Sequence, residues 1–425
     1  MKILCAPAEF DFLSLPSDLN VVLYGSPTET AGGSVGAALK DAVIRNGFQP
    51  SVRAWDFLSI ALSVITADLA EHRSCSPDGW TREFDLTVAV NEPDIWNYSA
   101  AQLESLLAYL TTDRWGLHFV KAEHFPSSDR APTFPDEDSV VLLSGGLDSY
   151  IGAVDLVHGG HKPLAVSQTV RGDAEKQILF ASGIGNGLRH FQVNHNSDVP
   201  DPENSPSQRA RSIAFISYGI LVATALEKYS RGNSVNLFVC ENGLIAVNPP
   251  LTGGRLGSLS TRTTHPVVFA LLNKLLDSIG LRVSIVNPYA FKTKGEMLQE
   301  CANQGLLEQN AFNTTSCGRF NHFGYRHCGR CVPCLVRRAS FAAWNKEDKT
   351  EYVYTDLSKD DDEHARFDDV RSALIGIAEC EELGVNRWLG ATLSSNLISD
   401  KGALRQTVNR GLREIKTFLT TMGVQ

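Results

Sequence analysis

The sequence predicts a doubly wound parallel α/β sheet, and three observations carry that expectation. Short apolar runs alternate with helix-like stretches through the middle of the chain, the turn SGGLDS follows the first run, and four cysteines gather near the far end. Strands alternating with helices imply parallel βαβ units, whose ligands sit at the carboxyl ends of the strands.

Taken in order, NVVLYG (20–25) and FDLTVAV (84–90) read as strands of a separate N-terminal region. SAAQ (99–102) reads as a capping box, after which Leu103, Leu106, Leu107 and Leu110 recur at helical spacing. Residues 125–139 combine three prolines with acids and serines and read as a linker. The central rhythm follows: VVLL (140–143), PLAVS (163–167), HFQV (190–193), VNLFV (235–239) and RVSIVN (282–287), with the clearest helix over 207–229. An acidic stretch over 356–369 reads as a solvated face. The tail turns helical again, with Leu404, Val408, Leu412, Ile415 and Leu419 on one face and Gly423 as its stop. The expected division is an α+β accessory domain over 1–135, a nucleotide-binding α/β domain over 136–345 and a helical extension over 346–425.

Composition narrows the function. With 425 residues the chain is long for one core, and 43% hydrophobic with 20% charged residues is ordinary for a globular protein. A net charge of −9 argues against a surface devoted to nucleic acid, because such binding leans on lysine and arginine. The N-terminus lacks the continuous apolar core of a signal peptide and no long apolar stretch occurs, so the expectation is a cytoplasmic protein with nine unpaired cysteines.

SGGLDS sits between a strand and a helix, where a phosphate cradle would lie. Gly145 and Gly146 remove Cβ atoms so that backbone amides approach phosphate oxygens, and the helix start adds its positive end. Ser144 and Ser149 can donate hydroxyl bonds, while Asp148, an anion itself, would help by holding Mg²⁺ against the phosphates. The pattern is neither GxxxxGK[ST] nor GxGxxG, so a Walker loop and a dinucleotide fingerprint are excluded.

Cys317, Cys328, Cys331 and Cys334 are spaced Cx10CxxCxxC, which suits one tetrahedral Zn²⁺ with no open position, a structural site. An iron–sulfur centre is the competing reading. Four cysteines suffice, so His322 and His327 are left out of the ligand set. Arg319, Arg326, Arg330, Arg337 and Arg338 offset the thiolates, and for each the choice lies between charge balance and phosphate contact.

SGGLDS resembles the SGGxDS loop of the PP-loop ATPases, which cleave ATP between its α and β phosphates. With SCGRF and HCGRCVPC added, the segment over about 138–345 is similar to the QueC family, the 7-cyano-7-deazaguanine synthases. SQRARSIAF places Arg211 at the family's arginine, and KTKGE places Lys294 and Glu296 at its lysine and glutamate. Two loops depart: SQTVRGDAEKQ (167–177) stands where the family has YGQRH, and residues 241–266 replace its substrate loop. The added flanks resemble the QueC-like proteins of the Qat anti-phage defence systems.

The resemblance implies an ATP-dependent ligase that adenylates the carboxylate of 7-carboxy-7-deazaguanine and forms an amide. Its expected cofactors are ATP, Mg²⁺ and Zn²⁺. Ser144, Gly145, Gly146, Asp148 and Ser149 would take the nucleotide; Asp148, Arg211 and Lys294 would be catalytic; Glu241, Asn242, Arg255 and Glu296 would meet the substrate. Glu241 follows a strand end directly, and its carboxylate can accept from a guanine-like N–H edge. The long flanks lead to the expectation that the amine is the N-terminus of a partner protein, one encoded in the same defence operon. The alternatives are a synthase that uses ammonia, a nucleotide-binding scaffold without catalysis, and a tRNA thiolase.

Overall fold

The computed structural model describes residues 1–122, 130–203, 209–252, 262–358 and 369–424. The chain builds two five-stranded sheets, each wholly parallel among its described strand pairs. The first contains β1 (Lys2–Ala6), β2 (Leu19–Leu23), β3 (Gly33–Val35), β4 (Glu83–Val90) and β5 (Arg114–Lys121) in the order β3-β2-β1-β4-β5. The second contains β6 (Ser139–Leu142), β7 (Pro163–Gln168), β8 (His190–Val193), β9 (Val235–Phe238) and β10 (Val283–Val286) in the order β8-β7-β6-β9-β10. Both sheets therefore run third, second, first, fourth, fifth, which leaves a topological switch point beside the first strand of each. The N-terminal region, expected as α+β, is parallel throughout: its strands return by crossovers rather than hairpins.

Helices α1 (Ala37–Asn46), α2 (Val52–Ala70) and α3 (Pro93–Thr111) belong to the first sheet. Between and after the strands of the second lie α4 (Leu147–His158), α5 (Ala174–Gly183), α6 (Ala210–Ala225), α7 (Glu227–Ser230), α8 (Gly243–Val247) and α9 (Pro266–Ser278). α2 packs against β4 on one side and α6 on the other, while α3 meets β5 and α9. Strand alternation divides the second sheet: Val140, Leu142, Leu164 and Val166 face this helical layer, and Val141, Leu143 and Ala165 face α4 and α5. One apolar core thus runs from the first sheet through two layers of helix into the second.

α2 explains why. Its sequence VRAWDFLSIALSVITADLA is apolar nearly all round, and a helix of that kind is stable only when enclosed. Its polar residues are satisfied locally: Ser59, Ser63 and Thr66 donate to carbonyls four residues back. Asp56 accepts from the amides of Asn91 and Glu92 and from Trp96 Nε1 at 2.8–3.0 Å. α3 begins six residues before Ser99, with Pro93 in its first turn, so Ser99 is a buried mid-helix residue rather than a cap. Along the open edge of β5, Glu104 and Asn97 of α3 accept from the amides of Leu117 and Phe119 at 2.9 and 3.1 Å, which blunts that edge.

Where a linker is expected, residues 130–138 are held against the body: Thr133 N donates to Gly47 O at 2.8 Å and Glu227 N to Pro135 O at 2.8 Å. The edge of β3 pairs with the segment after β8, through Ser34 and Asp198 at 2.9 Å in both directions.

Beyond β10 come α10 (Lys294–Glu300), α11 (Gln304–Asn310), α12 (Val332–Trp344), α13 (Asp369–Leu383), α14 (Val385–Trp388) and α15 (Lys401–Thr421). The predicted face of α15, Leu404 through Leu419, is buried against α8, α12 and α13. No helix among the described residues is long and apolar enough to cross a membrane.

Two outcomes follow from this architecture. Because the core is shared, Phe57→Ala should destabilise the whole chain by about 3–5 kcal/mol, as the loss of a buried phenylalanine does. Circular dichroism and intrinsic fluorescence should report one coincident transition; two separated ones would contradict a common core. Burial also holds the imidazoles of His190, His195 and His265 at about 4, below their ordinary value. The unfolded chain takes up those protons near pH 6.5, so the contribution is complete above that value and is lost as pH falls toward 4. Urea midpoints should accordingly decline from pH 7 to pH 4.5.

Candidate active site and metal centre

The switch point of the second sheet lies between β6 and β9, and the chain places its chemistry there. After β6 the backbone turns through Gly145, whose φ of +91° favours glycine, and enters α4 at Gly146. A Cβ on Gly146 would stand 3.2 Å from Thr315 O, so the loop lies close under the segment before the cysteines. Ser144 and Ser149 meet at 3.0 Å between hydroxyls, Ser149 donates to Gly146 O at 2.9 Å, and Thr315 N donates to Gly145 O at 2.9 Å.

Asp148 is the centre of the site. It is 5% exposed, one oxygen lies 2.8 Å from Lys294 Nζ, and the other accepts from Asn242 N at 3.0 Å and Asn242 Nδ2 at 2.7 Å. Burial alone would raise its carboxyl; the charge of the Lys294 ammonium and the hydrogen bond from Asn242 N outweigh burial and hold it at about 2. Asn242 thus holds one oxygen, while the other is paired with the Lys294 ammonium and accepts no hydrogen bond among the described residues. Glu241 closes the group from the end of β9: Asn242 Nδ2 reaches Glu241 Oε1 at 3.3 Å, and Asn287 fixes the Glu241 backbone at both its N–H and C=O.

The other expected residues lie around this centre or outside it. Glu296 serves the capping box of α10, accepting from Thr293 N at 2.8 Å, and pairs with Arg410 at 2.5 Å. Arg211 opens α6 beside His195 and Tyr218, where burial lowers its pKa. His195 Nδ1 lies 3.2 Å from both Gln168 Nε2 and the Tyr218 hydroxyl. Arg255 lies outside the described residues.

Two further residues stand at the loop. Gln177 Nε2 donates to Ser144 O and Gln168 O, both at 3.0 Å, and Lys176 Nζ reaches Thr315 Oγ1 at 2.9 Å. Both belong to the segment that departs from the family's pattern, and that departure was the available signal.

The four cysteine sulfurs lie within 4.8 Å of one another, with two of the separations at 3.9 Å. Zinc–thiolate bonds of about 2.3 Å at tetrahedral angles put sulfurs about 3.8 Å apart, so the site fits one zinc ion. An iron–sulfur centre interposes its own sulfides and holds thiolates wider, which this spacing does not accommodate. Backbone amides of Arg319 and Cys328 point at Cys317 Sγ, both at 3.3 Å, and that of Cys331 at Cys328 Sγ at 3.3 Å.

Of the five arginines around the cluster, three are buried and engaged structurally. Arg337 binds Thr314, Ser316 and Thr350 side chains and Ala311 O; Arg338 binds carbonyls of Gly329 and Thr355; Arg330 binds Asp356 O. Arg337 thereby joins the metal segment to the strip that covers SGGLDS. His327 Nε2 accepts from Ser316 N at 3.1 Å and is no ligand.

The chain is similar to the 7-cyano-7-deazaguanine synthase of Rhizobium rhizogenes, 25% identical over 238 residues that make up 52% of this chain and 93% of that protein. The synthase of Agrobacterium fabrum is likewise 25% identical, over 239 residues, 52% of this chain and 93% of its own. That of Novosphingobium aromaticivorans is 28% identical over 250 residues, 53% of this chain and 98% of its own. No family model matches the chain, and no solved structure does. Half of this chain accounts for nearly all of each relative, so the other half is additional. A PP-loop sheet with synthase relatives supports an enzyme of the ATP-dependent ligase and synthetase class.

Elemental analysis of the purified protein should find about one zinc per chain and no iron. Cys331→Ser should lose most of that zinc and lower the unfolding temperature; an iron signal would reverse the assignment.

Proposed function

We propose that the chain uses ATP to adenylate the carboxylate of a 7-deazaguanine, 7-carboxy-7-deazaguanine, and then joins that carbon to nitrogen, a reading supported by relatives named as 7-cyano-7-deazaguanine synthases. The observation that carries this reading is the group at the switch point, where Lys294 and Asp148 stand at the mouth of the SGGLDS turn. A carboxylate is a poor electrophile because attack must expel oxide. Its oxygen attacks the α phosphorus of ATP, pyrophosphate departs, and the acyl adenylate now carries AMP as its leaving group. An amine displaces AMP to give the amide; with ammonia, a second ATP activates the amide oxygen and its loss leaves the nitrile.

In this reading the Ser144–Ser149 turn takes the phosphates, and Lys294 stabilises the charge that builds on phosphorus and pyrophosphate. Asp148 aims Lys294 through their ion pair, and Asn242 keeps Asp148 in place. Glu241 accepts from the N–H edge of the base. Arg211 contributes a further positive charge from the start of α6. Magnesium would enter with the triphosphate, and Asp148 would be the residue to hold it against the phosphates.

A second reading concerns the amine. Residues following Glu241 pack in one core with α12, α13 and α15, and the matched relatives use only about half the length of this chain. That added mass around the substrate segment favours a large acceptor, the N-terminus of a partner protein, as in an anti-phage system of the Qat kind.

The decisive assay is pyrophosphate release from ATP with 7-carboxy-7-deazaguanine, without acceptor, with ammonia, and with a candidate partner protein. Release that depends on the deazaguanine supports the proposal; indifference to it defeats the proposal. A nitrile product marks the ammonia reaction, and added mass on the partner marks the protein reaction. Lys294→Ala should lower the turnover by about 10²–10³, the scale of one lost charge-stabilising group. Glu241→Gln should weaken binding of the base by calorimetry.

A further inference from the structure

The C-terminal helix α15 reaches the site from more than a hundred residues away in sequence. Three of its residues, spaced to fall on one face, grip the turn that carries Lys294. Thr407 Oγ1 donates to Phe291 O at 3.0 Å, and Arg410 Nη2 donates to the same carbonyl at 2.8 Å. Arg410 also holds Glu296, at 2.5 Å through Nε and 3.2 Å through Nη2. Glu414 accepts from Thr293 Oγ1 and from Gly295 N, the latter at 3.3 Å. Lys294 lies between those two residues, so one carboxylate holds both its neighbours, through the Thr293 hydroxyl and the Gly295 amide.

The same helix also supports the other partner of Asp148. Gly243 follows Asn242, and its amide donates to Lys292 O at 2.8 Å. A Cβ on Gly243 would come within 2.2 Å of Ala290 O and 2.8 Å of Thr407 Cγ2. At Gly295 a Cβ would meet Glu414 Oε1 at 2.7 Å, and at Gly411 it would meet Leu244 Cδ2 at 2.9 Å. Glycine at 243, 295 and 411 is what lets α15, α8 and α10 approach this closely. Burial, with Glu296 adding to it, raises the Glu414 carboxyl to about 7 against the lowering effect of Thr293, Gly295 and Arg410.

We propose that Thr407, Arg410 and Glu414 are positioning residues of the active site, a brace through which α15 sets Lys294 and Asn242 on Asp148. The inference rests on the proposed role of Lys294 for its effect on rate, but not for its effect on geometry. A helix outside the segment over about 138–345 that resembles the synthases would then be a structural part of the catalytic centre itself.

The test compares Glu414→Ala with Glu414→Gln in the full chain. Thr293 Oγ1 and Gly295 N meet different oxygens of Glu414; the glutamine keeps one oxygen to accept from Gly295 N and turns its amide nitrogen to the Thr293 hydroxyl, which can accept from it, while the alanine keeps neither contact. Glu414→Ala should lower kcat for pyrophosphate release by about tenfold to a hundredfold, the cost of a displaced reacting group, with KM for ATP little changed. Glu414→Gln should restore kcat to within about threefold. In parallel, acetic anhydride labelling of Lys294, mapped by mass spectrometry, should rise in the alanine variant and return to the wild-type level in the glutamine variant.

Unchanged labelling and unchanged kcat in folded Glu414→Ala overturn the brace. So does a glutamine variant that behaves like the alanine one. Full activity in Lys294→Ala, with labelling still sensitive to Glu414→Ala, overturns the role of Lys294 and leaves the brace standing. Should Glu414→Ala fail to fold, Thr407→Val removes one hydroxyl of the same brace and carries the same two expectations.

Discussion

A carboxylate held below the surface at the end of a parallel sheet is the constraint from which the rest of this molecule is organised. An ionised Asp148 without partners would be far too costly to bury, and a lone lysine beside it equally so. The fold must therefore deliver an ammonium and an amide to one atom group from segments 146 and 94 residues further along. The strand order brings Asn242 across the switch point. Lys294 requires more: a capping box to start α10, a glycine after it, and a terminal helix packed against both. The metal segment holds the other side, where Arg337 links the cysteine loop to Thr314 and Ser316, next to the residue lying over Gly145.

What the sequence disclosed was what depends on neighbours in the chain. SGGLDS between a strand and a helix, the five central strands, the cysteine spacing and the face of α15 are local patterns, and each appears where the sequence places it. The longest buried helix did not announce itself, because α2 has no polar face and so shows no period. Ser99 misled for a different reason: a cap signature inside a longer helix is overridden when Pro93 offers an earlier start. Thr293 and Glu296 form a readable box, T-x-x-E, yet the resemblance directed Glu296 to the substrate instead of to the helix it begins. The commitment of Asp148 to Lys294, and the grip of Arg410 and Glu414, join residues far apart, and no local pattern encodes them.

The two sheets offer an internal comparison. They share one strand order, and in each a carboxylate accepts from the backbone shortly after the fourth strand. In the second sheet the acid stands next to a glycine turn and is met by a lysine. In the first, Asp56 arrives from α2 and accepts from the backbone after β4 and from Trp96. Equal topology thus gives a chemical centre in one case and a structural knot in the other. The difference lies in a few side chains rather than in the arrangement of strands.

The enclosure of α2 also has a consequence during synthesis. Its nineteen residues leave the ribosome long before α6, the helix that covers its far side. At about 5–20 residues per second the interval is on the order of ten seconds. For that time the nascent chain carries a bare apolar rod that the first sheet can shield on one side only. Newly made protein is therefore most vulnerable to self-association before its second sheet exists, and a chaperone that occupies the uncovered side of α2 would protect the chain during that interval.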